Sequence, residues 1–296
     1  MLTSCPIGGR ETMKQKHADY QLVPYPKMRR ATAVVLRSFQ RKPMMHGLIE
    51  VDVTTAREFL REHKARTGES LSFTAFIIGC VGKAVDEHKT VQAYRQGWKH
   101  LVVFDDVDVA IVIEHDVAGQ KVPLLYVIRA ANRKTFWEIH DEIRAIQVQD
   151  MAKSVLGFTA LPFLPAVLFT RLLYRILRTF PQLHKRVVGT VGVTAVGMFG
   201  KGSGWGIPVA AASLAVTLGG LASKPGVIDG HIAIRDYLCM TLSFDHRITD
   251  GGPAARFAER LKELIESGYG LDDSMVASEQ ARARGTAHMG YVPKVF

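Results

Sequence analysis

The hydrophobic pattern of the chain changes most sharply near residue 245. An apolar run at 238–244 is rich in strand-forming residues and gives way to charged residues at 245–247. The Asp-Gly-Gly-Pro run at 250–253 then ends a strand and favours a helix start, because Pro253 suits a first helical turn and Asp250 offers an acceptor side chain just upstream. Apolar residues recur beyond it at helical spacing, at Ala254, Phe257, Ala258, Leu261, Leu264 and Ile265. The pattern predicts a buried strand, a tight turn carrying His246, and an amphipathic helix.

The same reasoning predicts elements along the rest of the chain. Alternating or continuous apolar runs indicate strands at 47–53, 107–114, 123–129, 210–219 and 232–243, and a glycine-punctuated strand and turn at 189–200. A short hairpin is indicated at 91–104 and a turn at 226–231. Apolar stripes at helical spacing indicate helices at 27–41, 54–64, 72–88 and 136–149. Residues 1–26 are predicted to form an extended tail, 27–275 one domain, and 276–296 a polar tail.

Composition narrows the class of protein. With 296 residues, 47% of them hydrophobic, the chain can bury a large core. Its three cysteines are scattered and odd in number, and the amino terminus has no secretory apolar segment, so we expect a reducing, cytoplasmic location. The net charge of +10 suits nucleic acid, anionic lipid or a phosphate-bearing ligand. No nucleic-acid-binding motif accompanies that charge.

His246 is the candidate for acid–base chemistry. An imidazole titrates near neutrality, so it can take a proton from a thiol or hydroxyl and return it. A short turn can supply a carbonyl to fix one ring nitrogen, and Asp250 can hold the turn by pairing with an arginine. The alternative is a half-buried loop histidine beside a capping aspartate.

The residues around this turn resemble a known family. The run Leu-Ser-Phe-Asp-His-Arg at 242–247, the Asp-Gly pair at 250–251 and the apolar helix after it are similar to the end of the catalytic domain in acyltransferase components of 2-oxoacid dehydrogenase complexes. Chloramphenicol acetyltransferase shares the fold and the His-x-x-x-Asp-Gly signature. The resemblance continues in Glu-Val-Asp-Val at 50–53, Leu-Ser-Phe-Thr-Ala-Phe-Ile-Ile at 71–78, Val-Asp-Val-Ala-Ile-Val at 107–112 and Val-Pro-Leu at 122–124.

The resemblance implies a fold and a set of site residues. The fold is an α/β two-layer sandwich of the chloramphenicol acetyltransferase type, with a mixed sheet covered by helices. His246 is implied to be the general base that deprotonates coenzyme A or dihydrolipoamide. Thr194 is implied to donate its hydroxyl to the oxyanion, although Ala195 replaces the asparagine usual after it. Asp250 is implied to pair with an arginine of the first helix.

The remaining implied residues concern the substrate and the turn. Arg30 is the candidate partner of Asp250, with Arg29 and Arg247 as alternatives, and each of these arginines can equally belong to a solvated basic face. Ser243 and Gly251 are predicted to contact substrate together with Arg30. No metal is expected.

Residues 154–187 depart from the family pattern. An apolar stretch is interrupted by Pro162, Pro165 and Arg171, too early for a membrane span. A helix is predicted beyond Pro165, with a basic stripe at Arg171, Arg175, Arg178, Gln182 and Lys185. Three alternatives stay open for this insert: packing on its own or a neighbouring subunit, peripheral membrane contact through 160–186, or a lid over the acyl site.

The sequence therefore predicts a coenzyme A-dependent acyltransferase that acts on an acyl-thioester as a homotrimer, because in this family the site forms between subunits. Higher assembly of trimers is an option. No lipoyl or subunit-binding domain is recognisable, so lipoamide would have to be supplied by another protein. The alternative is a non-catalytic trimeric scaffold of the same fold, held at the inner face of a membrane through the insert.

Overall fold

The structure is a computed structural model. It describes residues 42–117, 120–148, 179–196 and 202–271, with shorter stretches at 16–17, 20–21, 23–25, 33, 36–37 and 175–177. The predicted first helix at 27–41, most of the insert, and both predicted tails lie largely outside these residues.

A six-stranded mixed sheet organises the described part of the chain. Two short strands, β1 (Lys16–His17) and β2 (Tyr20–Gln21), form a separate pair, as do β4 (Tyr94–Gln96) and β5 (His100–Val102). The large sheet has the order β3-β10-β9-β8-β6-β7. Its strands are β3 (Met44–Asp52), β6 (Val109–Val117), β7 (Gln120–Ile128), β8 (Val191–Ala195), β9 (Leu214–Ile228) and β10 (His231–Asp245). Strand β8 runs parallel to both β6 and β9, and the other neighbours are antiparallel.

Helices cover one face of this sheet. They are α1 (Thr54–Thr67), α2 (Phe73–Glu87), α3 (Phe136–Val148) and α5 (Gly251–Glu266), whereas the short α4 (Pro181–Val188) contacts β4. The Ser72 hydroxyl accepts from the Ala75 amide and caps α2. Helix α5 buries Phe257, Leu261, Leu264 and Ile265 against α2 and the sheet, which stabilises the fold by roughly 1.5–3 kcal/mol for each fully buried side chain. The α/β two-layer prediction is confirmed.

The long hairpin of β9 and β10 delivers the His246 turn. Asp229 and Gly230 at its tip both have positive φ, 49° and 79°, as a two-residue turn between twisted strands requires. The strand from 231 to 245 then pairs with β9 on one side and β3 on the other. The predicted turn and returning strand are therefore confirmed, and the returning strand continues to Asp245.

The predicted insert helix is wrong at its carboxyl end. Phe180 adopts φ −117° and ψ 88°, and Pro181 begins the separate helix α4, because proline lacks an amide hydrogen and disfavours a helical residue before it. Gln182 and Lys185 therefore do not continue a stripe from Arg175. The Lys185 ammonium instead lies 5.1 Å from the Phe104 ring centroid and 3.9 Å from Asp108 Oδ2.

Helix α4 packs on the domain. The His184 ring stacks on Tyr94 with a centroid distance of 4.3 Å, and Gly189 after the helix lies so close to the Asp108 carbonyl that a Cβ would be 2.7 Å from it. None of the helices in the described part of the chain is long and apolar enough to cross a membrane. Residues 156–174 of the insert lie outside that part, so the three alternatives for them stay predictions.

Candidate active site

The turn after β10 presents His246 at the end of the sheet. The His246 amide donates to the Pro43 carbonyl at 2.9 Å, and the amides of Ile248 and Thr249 donate to the Asp245 carbonyl. These bonds fix the backbone on both sides of the histidine. The side chain itself is 51% exposed. A half-exposed imidazole on a well-bonded turn can meet a substrate without moving its backbone.

Asp245 is the buried anchor of this turn. It is 2% exposed and accepts from the Arg247 amide at 3.1 Å and from the Arg247 Nε at 2.8 Å. Burial raises the pKa of its carboxyl, but the hydrogen bonds and charge of Arg247 outweigh burial and hold that pKa below its ordinary value. Arg247 was an alternative partner for Asp250. The structure pairs it with Asp245 instead, because the two side chains lie two residues apart on the same tight turn.

The Asp250 carboxylate faces the histidine. Its Oδ1 lies 3.6 Å from His246 Nδ1, within ion-pair range, and the side chain is 85% exposed. Asp250 occupies the position before α5, but its side chain makes no capping hydrogen bond. The helix starts at Gly251, which places Pro253 in its first turn as predicted. The alternative of a capping aspartate is therefore wrong for the side chain, and the predicted pairing of Asp250 with an arginine stays a prediction. Arg30 and Arg29, the other predicted partners of Asp250, lie outside the described residues.

Lys42, just before β3, forms hydrogen bonds with the segment that precedes β9. Its ammonium donates to the carbonyls of Ala211 and Ala212. Burial lowers the pKa of Lys42 to about 8, the charge of Asp245 opposes this, and Arg247 lowers the pKa further. The Asp245 amide donates to Ser213 in the same segment. The start of β3, the segment before β9 and the His246 turn are thereby held as one unit.

Ser243 is buried, and it contacts a second histidine. It is 0% exposed, and its hydroxyl lies 2.9 Å from His46 Nδ1. His46 of β3 pairs with Ser243 of β10, and His46 is exposed to solvent. The contact fixes one ring nitrogen of His46 close to the His246 turn. Sequence reasoning did not find His46, since no local motif marks it and the pairing of β3 with β10 joins residues far apart in the chain.

Gly251 lines a groove beside the turn. The groove has a volume of about 330 Å³ and runs between β3 and the first half of α5. Small residues on the helix side, Ala254, Ala255 and Ala258, leave this space open. Gly251 thus belongs both to the start of α5 after the His246 turn and to the wall of this groove.

Thr194 lies two strands across the sheet from β10, level with Thr241, which precedes His246 by five residues. It pairs with Thr217 of β9, which in turn pairs with Thr241 of β10. At about 3.4 Å per residue and 4.8 Å between strands, the Cα of Thr194 is roughly 17 Å from that of Asp245, which directly precedes His246. Within one chain, the structure does not bring Thr194 and His246 together.

Across the described residues, no group of three or more His, Cys, Asp or Glu side chains could hold a metal ion. The groups assembled at the turn are instead an imidazole, two carboxylates, a guanidinium and an ammonium. Such a set supports proton transfer and binding of an anionic ligand.

Comparisons with known proteins identify the family. The family model described as 2-oxoacid dehydrogenases acyltransferase (catalytic domain) matches residues 17–155 and 181–271, so that 156–180 is left unmatched. The lipoamide acyltransferase component of the branched-chain alpha-keto acid dehydrogenase complex of Bacillus subtilis is 26% identical over 251 residues, covering 83% of this chain and 52% of that protein. A succinyltransferase component of the 2-oxoglutarate dehydrogenase complex of Staphylococcus epidermidis is also 26% identical, covering 80% of this chain and 50% of that protein.

Solved structures agree with this assignment. A probable dihydrolipoamide acetyltransferase of Listeria monocytogenes superposes with a TM-score of 0.63 at 25% identity, covering 85% of this chain and 96% of that one. The dihydrolipoamide acetyltransferase of Azotobacter vinelandii has a TM-score of 0.64 at 20% identity and shows the shared fold. The chain spans about half the length of the curated relatives it matches. It belongs to the family of 2-oxoacid dehydrogenase acyltransferase catalytic domains.

Proposed function

We propose that the protein is an acyltransferase that moves an acyl group between thiols, with coenzyme A as donor or acceptor. The observation that carries the proposal is the His246 turn. A half-exposed imidazole stands on a backbone held by several hydrogen bonds, with Nδ1 facing the Asp250 carboxylate at 3.6 Å. Orientation of one ring nitrogen by a carboxylate leaves the other nitrogen to act as base.

The reaction follows from these groups. His246 Nε2 takes the proton of the attacking thiol, and the thiolate sulfur forms a bond to the thioester carbonyl carbon. The carbonyl electron pair moves to oxygen, where the Thr194 hydroxyl donates a hydrogen bond. Collapse of this intermediate breaks the original carbon–sulfur bond, and the leaving thiolate takes the proton back from the imidazolium. A preorganised donor of this kind is worth roughly 3 kcal/mol in the transition state.

The reaction requires two chains. Two strand spacings across the sheet and about five residues along β10 separate Thr194 from His246 in one chain, so the hydroxyl donor comes from a neighbouring copy. We propose a homotrimer in which each subunit interface brings the His246 turn of one chain next to Thr194 of the neighbouring chain. Assembly of trimers into larger particles stays a prediction.

The substrate contacts belong to the same proposal. Gly251 borders the groove beside the turn, and Ser243 acts through His46, whose ring it contacts. Arg30 is proposed to pair with Asp250 and to hold that carboxylate against His246. The net charge of +10 favours the phosphates of coenzyme A. Lipoamide would be brought by a lipoyl domain.

Substitution of the base tests the proposal directly. We expect His246→Ala to lower transfer from acetyl-coenzyme A to dihydrolipoamide by at least about a hundredfold, measured as coenzyme A released and separated by chromatography. His231→Ala, at the exposed tip of the β9–β10 hairpin, is the matched control and should keep full activity. Light scattering should show the same oligomer for both variants.

Two results would count against the enzyme. One is a wild-type rate for His246→Ala. The other is a wild-type protein that neither transfers an acyl group nor binds coenzyme A in a calorimeter, which is what the non-catalytic scaffold predicts.

A further inference from the structure

Three threonines stand side by side on neighbouring strands. Thr194 of β8 pairs with Thr217 of β9, and Thr217 pairs with Thr241 of β10. Paired residues on adjacent strands project from the same face of a sheet. The residues before them, Val193, Val216 and Met240, belong to the hydrophobic core. The three hydroxyl-bearing side chains therefore form a row across the opposite face.

Two members of this row are buried without a hydrogen bond. Thr217 is 2% exposed and Thr241 0% exposed, and within the described residues neither Oγ1 has a hydrogen-bond partner. Gly206 passes over Thr217, since a Cβ added to it would lie 3.3 Å from Thr217 Cγ2. An unpaired buried hydroxyl costs roughly 1–3 kcal/mol, and valine would fill the same space without that cost. Because two buried hydroxyls in this row each destabilise the fold, we expect the hydroxyls to have a function.

We propose that Thr217, supported by Thr241, is a positioning residue for the Thr194 hydroxyl. The proposal rests on the role of Thr194 in the proposed function. Neighbouring strands lie about 4.8 Å apart, so threonine hydroxyls that turn toward each other between staggered rotamers come within hydrogen-bond range. A hydroxyl donates one hydrogen bond and accepts others. Thr241 donates to Thr217, Thr217 donates to Thr194, and Thr194 donates to the oxyanion.

The row has two effects on the reaction. It selects the Thr194 rotamer that points its hydrogen at the reacting carbonyl, and each hydrogen bond in a chain strengthens the next. Both effects grow as negative charge develops on the substrate oxygen. The row therefore acts on the transition state and leaves binding of the ground state nearly unchanged.

Variants of Thr217 test the proposal through kcat and KM of the transfer from acetyl-coenzyme A to dihydrolipoamide. We expect Thr217→Val to lower kcat about tenfold with KM almost unchanged, less than the roughly hundredfold loss expected for Thr194→Val. Thr217→Ser keeps the hydroxyl and should restore most of kcat. The double variant of Thr194→Val and Thr217→Val should be no slower than Thr194→Val alone, because the second hydroxyl acts only through the first.

The outcomes separate the two proposals. A wild-type kcat for Thr217→Val, or losses that multiply in the double variant, would overturn the positioning role and leave the acyltransferase intact. A wild-type kcat for Thr194→Val would remove Thr194 from the mechanism, and the row with it. Thermal melting should show Thr217→Val close to wild type in stability, since valine fills the same space as threonine. If that variant does not assemble, Thr217→Ala against Thr217→Ser makes the same comparison.

Discussion

At the scale of single residues, the site depends on how Asp245 is held. Its buried carboxylate accepts hydrogen bonds from the guanidinium and the amide of Arg247, and the Asp245 amide donates to the Ser213 carbonyl. The motif in the sequence pointed to His246 and Asp250. Both lie at the turn, with His246 Nδ1 3.6 Å from Asp250 Oδ1. Asp245 gave no such signal, because its role depends on burial that only the packed sheet provides.

Loss of the Arg247 partner is expected to destabilise the protein. Arg247→Met leaves a buried carboxylate without its cation, and because the arginine is 31% exposed we expect a loss of about 2–3 kcal/mol, below the 3–5 of a fully buried pair. A carboxyl with a lowered pKa adds stability above its unfolded pKa and loses it as pH falls through the folded value. The variant raises the folded pKa, so it loses less stability than wild type as pH falls from 7 to 4, and the two proteins differ most at pH 7.

Urea unfolding at pH 7 and pH 4 measures both effects. Arg256→Met, an exposed arginine of α5, is the matched control and should change stability by less than about 0.5 kcal/mol. Equal unfolding midpoints for Arg247→Met and wild type at pH 7 would refute the anchoring role of the pair.

At the scale of elements, local patterns predicted most helices and strands but not how they pair. Ser72 marked the start of α2, and the Asp229-Gly230 pair marked the hairpin tip. The break at Phe180–Pro181 was present in the sequence as a proline, yet the spacing of basic residues suggested one continuous helix. The contact of Ser243 with His46 could not be predicted, because it depends on the order of strands in the sheet.

The docking of α4 should depend on pH through His184. Burial lowers the pKa of His184 to about 3, and the charge of Lys42 adds to the effect. A histidine with a lowered pKa keeps its full stability above the unfolded value of 6.5 and loses it as pH falls, because the unfolded chain binds the proton more tightly. Between pH 7 and pH 4.5 we expect His184 alone to lower the free energy of unfolding by about 3 kcal/mol.

His184→Phe isolates this contribution. Phenylalanine keeps the stack on Tyr94 but cannot take a proton, so the variant should lose less stability than wild type between pH 7 and pH 4.5 in denaturant unfolding. Parallel pH curves for the two proteins would show that His184 is protonated equally in the folded and unfolded states.

At the scale of the whole molecule, the sheet separates the two halves of the proposed site. β10 ends at Asp245, directly before His246, whereas Thr194 lies on β8, two strands away and level with Thr241. Family membership is shown by the match over 17–155 and 181–271, and residues 156–180 distinguish this chain from the family pattern. A monomer with this topology holds every proposed group but cannot bring base and oxyanion donor to one carbonyl. The central claim is therefore that the site forms between copies of the chain.

Mixing two inactive variants tests that claim most directly. His246→Ala keeps Thr194, and Thr194→Val keeps His246. A subunit interface that takes its histidine from one variant and its threonine from the other therefore has a complete active site. In trimers assembled from equal amounts of both variants, about one subunit interface in four has both the histidine and the threonine. We predict that co-refolded mixtures regain about a quarter of wild-type acyl transfer, far above either variant alone. Activity no higher than the mean of the two parents, in mixed trimers verified by mass, would contradict a site shared between chains.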